Sequence, residues 1–270
     1  MAKSAGLAGR RALHRLHQRT KDYPSPHYVG WWKGTKNASD QVEDFSGNGN
    51  HLSRKSGLTA SACFDTRPGW ITTQEDATGL KHVYGAANLL DFDVTDRNSL
   101  LLAFWGNASF SGYPAISNVD GFSIGWNVNL LVSTSITVHV TVHVEDNLGN
   151  SGSRTFSNAT ALGVDTHTAV LIDAAYYGGK GRIHLWKNGV QIVDGLYNNM
   201  SDIADSTSPA GAEFALGGNL ASGSGPWQFR DIHALIIPGS VNIQKIDRAI
   251  TKLYAATPGT YQLRQYDTEG

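Results

Sequence analysis

ITVHVTVHV, residues 136–144, decides the fold class. Ile136, Val138, Val140, Val142 and Val144 fall on one side of an extended chain, and Thr137, His139, Thr141 and His143 on the other. Apolar residues at period two describe a strand with one buried face and one wet or ligand-facing face. Asp146-Asn147-Leu148-Gly149-Asn150 then supplies the turn residues that end it.

Strand signals continue on both sides of this stretch, at Ser99–Trp105, Gly121–Trp126, Thr168–Ile172, Gly181–Trp186, Val190–Val193, Glu213–Leu216 and Ile232–Ile237. Lys187-Asn188-Gly189 places an Asn-Gly pair between two of them, the strongest local hairpin signal. Many short strands parted by Gly, Asn and Ser predict an all-β protein, an antiparallel two-sheet jelly-roll sandwich. One short C-terminal helix is expected over Val241–Ala255, where Ile243, Ile246, Ile250 and Leu253 recur at helical spacing. Ser240 or Asn242 can cap its start, and Pro258-Gly259 lies beyond its end.

The chain has 270 residues, 17% of them charged, 40% hydrophobic and 30 of them glycine, enough for one substantial core. Its single cysteine, Cys63, excludes an intrachain disulfide and a cysteine-cluster zinc site, and reads as a small apolar residue beside Phe64. No run approaches the ~18 apolar residues of a membrane span, so no membrane partner is expected. The start has no apolar signal core, so export is not expected, and the sequons at Asn37, Asn107, Asn158 and Asn199 read as chance matches.

Charge is unevenly spread. Lys3, Arg10, Arg11, Arg15, Arg19 and Lys21 give residues 1–21 a charge of +6 with no carboxylate, so the rest carries −7 to reach the net −1. Residues 1–27 are expected to form a basic arm, helical from about Ala8 to Arg19, that ends at Tyr23-Pro24-Ser25-Pro26. A helix this short is marginal alone and needs a surface to hold it. The favoured surface is another protein chain, gripped through Arg10, Arg11, Leu13, Arg15, Leu16 and Arg19. A transit peptide, a nucleic-acid-binding tail and an arm folded back on the acidic body remain open, with nucleic acid a minor expectation.

Several motifs, taken in order, resemble the concanavalin A-like lectin/glucanase superfamily in its laminin-G-like branch. Tyr28-Val-Gly-Trp-Trp32 leads into Asp44-Phe-Ser-Gly-Asn-Gly-Asn-His51, similar to the family's D-x-S-G-N-G-N-H turn. Ser99–Trp105 takes the place of its hydrophobic strand, and Gly181–Val190 that of its strand and Asn-Gly hairpin. Ala215-Leu-Gly-Gly218 and Trp227–Ile232, with the last helix, match its closing segment. The resemblance covers about 28–256 and implies a domain over 28–257 with a tail at 258–270, exposed or touching a partner. It also implies a structural turn at Asp44–His51, with Gly47 and Gly49 at positive φ and Asp44 and Ser46 bonding backbone amides. A share in a calcium site is the second reading of that turn; no other cofactor is expected.

The glucanases of this superfamily carry E-x-D-x-x-E or E-x-D-x-E on one strand, with carboxylates about 5–5.5 Å apart. This chain has neither spacing; Glu43-Asp44, Glu75-Asp76 and Glu145-Asp146 are neighbours and face opposite ways in a strand. His139 and His143 stand about 13 Å apart along an extended chain, too far for one metal unless a bulge intervenes. There is no G-x-S-x-G, no H-E-x-x-H and no phosphate loop. The expected protein is not an enzyme. Trp126 with Asn127, and Trp227 with Asn219, are the candidate glycan contacts, an aromatic ring beside amide donors; Trp31, Trp32, Trp105 and Trp186 read as core. A lone domain with a basic arm resembles a virion protein of a tailed bacteriophage, assembled in the host cytoplasm. It would dock on other virion chains, within a homo-oligomer or larger assembly, as decoration, collar or tail-fibre component. A host-surface glycan is its expected outer ligand. The alternative is a lectin or glycoside-active enzyme acting alone.

Overall fold

The strand Thr166–Asp173 is buried at every residue, which requires cover on both faces of its sheet. It belongs to a computed structural model that describes residues 27–54, 67–73, 84–87, 98–108, 116–119, 125–133, 137–145, 151–161, 163–173, 182–196, 213–216, 218–219, 222–223, 227–238, 241–261 and 263. The expected arm through residue 26, with its arginines, and Cys63 lie outside these.

In chain order the strands are β1 (His27–Lys36), β2 (Val42–Asp44), β3 (Ser53–Arg54), β4 (Ile71–Thr73), β5 (Tyr84–Ala87) and β6 (Asn98–Ala108). Then come β7 (Ile116–Val119), β8 (Gly125–Ser133), β9 (Thr137–Glu145), β10 (Ser151–Ala161), β11 (Thr166–Asp173) and β12 (Arg182–Lys187). The last are β13 (Val190–Leu196), β14 (Glu213–Leu216), β15 (Gly218–Asn219), β16 (Ser222–Gly223) and β17 (Trp227–Pro238), followed by helix α1 (Ile243–Ala255). One sheet runs β13-β12-β11-β6-β17-β1-β2, with β4 on the end of β17. The other runs β10-β9-β8-β7-β14-β5-β3, and β15-β16 forms a separate ribbon. Every pairing among the strands is antiparallel. The protein is an all-β, antiparallel jelly-roll sandwich with one short C-terminal helix.

Alternation explains the double burial. Leu102 of β6 lies opposite Val170 and Ala234, and Leu101 opposite Leu171 and Leu235. The first set faces the second sheet, where Trp32 stacks on Phe214 with centroids 5.1 Å apart. The second set lies under α1, whose Ile246, Ile250 and Leu253 are buried against Leu101, Leu171, Trp186 and Leu235. Asn242 caps the helix by accepting from the Lys245 amide at 3.2 Å, and Asp247 accepts from Trp186 Nε1 at 2.9 Å. Leu263 joins this outer core, with Tyr261 packed beside it; residues 264–270 lie outside the described residues.

The ITVHVTVHV stretch is β9, between β8 and β10. The expected Asn-Gly hairpin forms at β12–β13, with Asn188 at φ 51° and Gly189 at φ 77°, as a type I′ turn requires. Expected Gly121–Trp126 is replaced by β8, which starts at Gly125, while residues 121–124 lie outside the description. β10 was not expected: SGSRTFSNATA has no apolar alternation, and pairing to β9 makes it a strand.

The turn at Asp44–His51 is the knot that ties the first strand down. Asp44 Oδ1 accepts from the amides of Trp31 (2.9 Å) and Ser46 (2.8 Å). Its Oδ2 accepts from Ser46 Oγ (2.8 Å) and the Asn50 amide (2.9 Å). Gly47 and Gly49 take φ 92° and 74°, and the Asp44 amide donates to His51 Nδ1 at 3.0 Å. Asn48 Nδ2 donates to the Tyr28 carbonyl and Asn50 Nδ2 to that of Val29, while Trp32 Nε1 donates to the Asn50 carbonyl. Four donors occupy the Asp44 carboxylate, so its lone pairs serve the turn and not a cation. Asp44→Ala strands buried amides and is expected to cost about 3 kcal/mol in denaturant unfolding, against about 1 kcal/mol for Ser46→Ala.

Candidate functional site

Helix α1 covers only part of the outer face of the larger sheet. Beyond it the same alternation brings polar and aromatic residues outward, because Trp105 of β6 lies opposite both His167 of β11 and Arg230 of β17. The β17 register then shifts between Arg230 and His233, and Asp231 sits in this bulge at φ 48°. Aspartate tolerates the left-handed region better than most residues, though still at a cost. The bulge adds one residue, so Arg230 and His233 both face outward although they are three apart.

On one side of the bulge lies a closed polar chain. Tyr28 Oη accepts from the Leu263 amide (2.9 Å) and bonds His233 Nδ1 (2.6 Å), and His233 Nε2 meets Asp231 Oδ1 at 3.0 Å. Trp31 Nε1 also donates to Asp231 Oδ1, at 2.7 Å, and its ring stacks on His233 with centroids 5.5 Å apart. Burial works against the Asp231 charge, but bonds from His233 and Trp31 outweigh it and hold the carboxyl below its ordinary range. The order carboxylate, imidazole, hydroxyl is that of a hydrolase triad. Here burial pushes the Tyr28 phenol up, away from the ionised form, while Asp231 and His233 are sealed within the protein. The chain staples the tail to the sheet.

On the other side is a ladder of cations and rings. Arg67-Pro68-Gly69-Trp70 forms a turn closed by the Trp70 amide on the Arg67 carbonyl, with Gly69 at φ 76°, as in a type II turn. The turn stacks the Arg67 guanidinium on Trp70, 4.0 Å from the ring centre. Arg230 also lies over Trp70 (4.5 Å) and over Trp105 (5.3 Å), and Trp105 stacks on Tyr254 of α1 at 5.6 Å. Arg67 Nη1 donates to Asp165 Oδ1 at 2.8 Å and Nη2 donates to Oδ2, a bidentate pair. Asn107 Nδ2 adds a third donor to Asp165 at 2.7 Å. Arg67 in turn holds the Asp165 carboxyl below its usual range. Tyr254 and Trp105 remain partly exposed, and Val164 and Val190, the other large exposed hydrophobics among the described residues, flank the same end of the sheet.

Buried polar atoms without partners mark this end. They include Trp105 Nε1, Arg230 Nε and both ring nitrogens of His167. Buried groups are nearly always paired, so a concentration of orphans needs explanation. Burial drives the His167 pKa down to about 3, so its ring is neutral at ordinary pH. No described group of three His, Cys, Asp or Glu side chains is placed to hold a metal ion.

Of the sequence candidates, Trp126 and Asn127 lie on β8, opposite Val144 and His143 of β9. Asn219 lies in the β15-β16 ribbon, and Trp227 opens β17 opposite Thr73 and Ala108. They are spread over three sheets, and their side chains lie outside the description. Trp31, Trp32 and Trp186 are core as expected, whereas Trp105 is only half-buried and belongs to the ladder. The sequence reading missed Arg67, Trp70, Asp165, His167, Arg230 and Tyr254. The Pro68-Gly69 turn was the available signal for the first two.

No known sequence family matches this chain, and no curated protein does. Solved structures do. The binding domain of Paraclostridial Mosquitocidal Protein 1 is 15% identical with a TM-score of 0.55, over 84% of this chain and 51% of that one. A structure of botulinum neurotoxin type C, whose cell entry is dependent upon interaction with two ganglioside molecules, is 15% identical with a TM-score of 0.54, again over 84% and 51%. The binding domain of botulinum neurotoxin DC in complex with SialylT is 13% identical with a TM-score of 0.55, over 84% and 51%. The chain spans about half the length of the structures it matches, and identities this low establish a shared fold. The fold neighbours are toxin binding domains rather than catalytic ones.

His167 gives this site a pH signature. The folded ring stays neutral down to about pH 3 while the unfolded ring protonates near its ordinary 6.5, so unfolding takes up a proton between those values. Stability is therefore complete above about pH 6.5 and is lost as pH falls. Relative to His167→Phe, the wild-type protein should lose roughly 1.4 kcal/mol per pH unit below that point, read from denaturant unfolding at pH 7, 6 and 5.

Proposed function

We propose that this chain is a non-enzymatic, glycan-binding protein of a phage particle. The jelly roll, of the laminin-G-like branch, faces outward and takes a cell-surface glycan. Residues 1–27 anchor it to other virion chains through Arg10, Arg11, Leu13, Arg15, Leu16 and Arg19. The particle assignment is supported by the +6 charge of residues 1–21 set against an acidic body, and by the family resemblance of the motifs. One observation carries the glycan reading: the stacked Trp105–Tyr254 pair, partly exposed, beside Arg230, Arg67, Asp165 and Asn107. An aromatic face packs on the C–H face of a sugar, and nearby fixed polar groups orient its hydroxyls. Fold neighbours that meet gangliosides and SialylT add support by analogy of fold.

The described carboxylates of this face are poorly suited to hydrolysis. Asp165 is consumed by Arg67 and Asn107, and Asp231 by Trp31 and His233. Neither is a raised-pKa acid of the kind a glycosidase needs.

On a glycan array the full chain should bind a host-surface saccharide, and Trp105→Ala and Tyr254→Ala should each weaken that binding at least ten-fold. The bound saccharide should be recovered uncut after prolonged incubation. Turnover, or binding unmoved by both variants, contradicts this reading. A chain lacking residues 1–22 should keep its glycan binding yet fail to enter the particle; normal incorporation contradicts the anchoring role.

A further inference from the structure

The face carries two arginines built alike and finished differently. Arg67 lays its guanidinium on Trp70 and gives its N–H edge to the carboxylate of Asp165 in bidentate fashion. Arg230 also lies over rings, with its guanidinium carbon 4.5 Å from the centre of Trp70 and 5.3 Å from that of Trp105, but its Nε is buried and has no acceptor. A stacked guanidinium has only its in-plane N–H edge left for bonding, and that fork matches a carboxylate.

The two carboxylates that act on Arg230, Asp165 and Asp231, are both bonded elsewhere. Asp165 already receives three bonds from Arg67 and Asn107, and Asp231 faces Trp31 and His233. Burial disfavours the charge on Arg230, which an arriving anion would offset. A second orphaned donor, Trp105 Nε1, belongs to the ring that Arg230 touches. Tyr254, stacked on Trp105, is 37% exposed and opens the stack to solvent.

We infer that Arg230 anchors a binding site for a saccharide ring that bears a carboxylate, as in a uronic or sialic acid residue. The ring packs against the exposed side of the Trp105–Tyr254 stack, and the carboxylate takes the N–H edge of Arg230 as Asp165 takes that of Arg67. The inference rests on the glycan-binding reading and specifies its ligand.

Matched probes test it on the full chain by titration calorimetry. Methyl β-glucuronide is compared with methyl β-glucoside, and a methyl sialoside with its carboxyl-reduced alcohol. At least one acid should bind ten-fold or more tightly than its neutral partner, and the preference should shrink with added salt. Arg230→Gln should abolish the preference, bringing the affinity for the acid down to that for its neutral partner. Arg230→Lys keeps the charge and stem without the fork and should lose most of the preference. It carries the test if melting shows the Gln variant unfolded, and Trp105→Phe, which keeps a ring in the stack, should lower the ratio of acid to neutral affinity. Equal affinity for acid and neutral sugars, or a preference that survives both Arg230 variants, overturns the inference while the glycan reading stands. Absence of binding by every saccharide on the array overturns both.

Discussion

The structure depends on one constraint: a central sheet that must be covered on both faces, with α1 the one described helix on the outer face. Leu102, Val170 and Ala234 on the inner face meet the second sheet. Leu101, Leu171 and Leu235 on the outer face meet α1. A 13-residue helix spans about 20 Å, less than the sheet it covers. The remainder of that face, beyond α1, is not aliphatic. It is built instead from rings capped by guanidinium groups, and from a buried Tyr28–His233–Asp231 chain closed by the tail.

Both halves of that remainder hang on β1 and β17, and two devices hold those strands. The Asp44 carboxylate collects amides from Trp31, Ser46 and Asn50, fixing β1 where Trp31 can reach Asp231. The bulge at Asp231 resets the alternation of β17, so Arg230 and His233 reach the same face. Without the bulge one of them would point into the sandwich, where its polar nitrogens would lack partners. A strained backbone residue thus sits at the join between structural and candidate binding chemistry, as such residues often do.

Much of the fold was legible because it rests on local patterns. Period-two valines wrote β9, the Asn188-Gly189 pair wrote the β12–β13 hairpin, and the spacing of Ile246, Ile250 and Leu253 wrote the helix. The Asp44–His51 turn was readable because its glycines and its Asp44 and Ser46 bonds to backbone amides are local, although Asn48 and Asn50 also reach back to β1. β10 was not, since SGSRTFSNATA becomes a strand only through its partner. The ladder was hidden for the same reason. Arg67, Trp105, Arg230 and Tyr254 lie far apart in the chain and meet only through cross-strand register, a turn and a bulge. Trp105 read as core because its strand is hydrophobic, and nothing local says that α1 stops short of covering it.

The fold neighbours are toxin binding domains, and the glycan site proposed for this chain centres on the Trp105–Tyr254 stack. Trp105 is its centre, touching Arg230, His167 and Tyr254. The most direct measurement is the indole N–H spectrum of the seven tryptophans during titration with a glycan the protein captures. The account predicts that the Trp105 signal moves, while Trp32 and Trp186, held by the Asn50 carbonyl and Asp247, stay in place. A titration that shifts other tryptophans and leaves Trp105 untouched would contradict it.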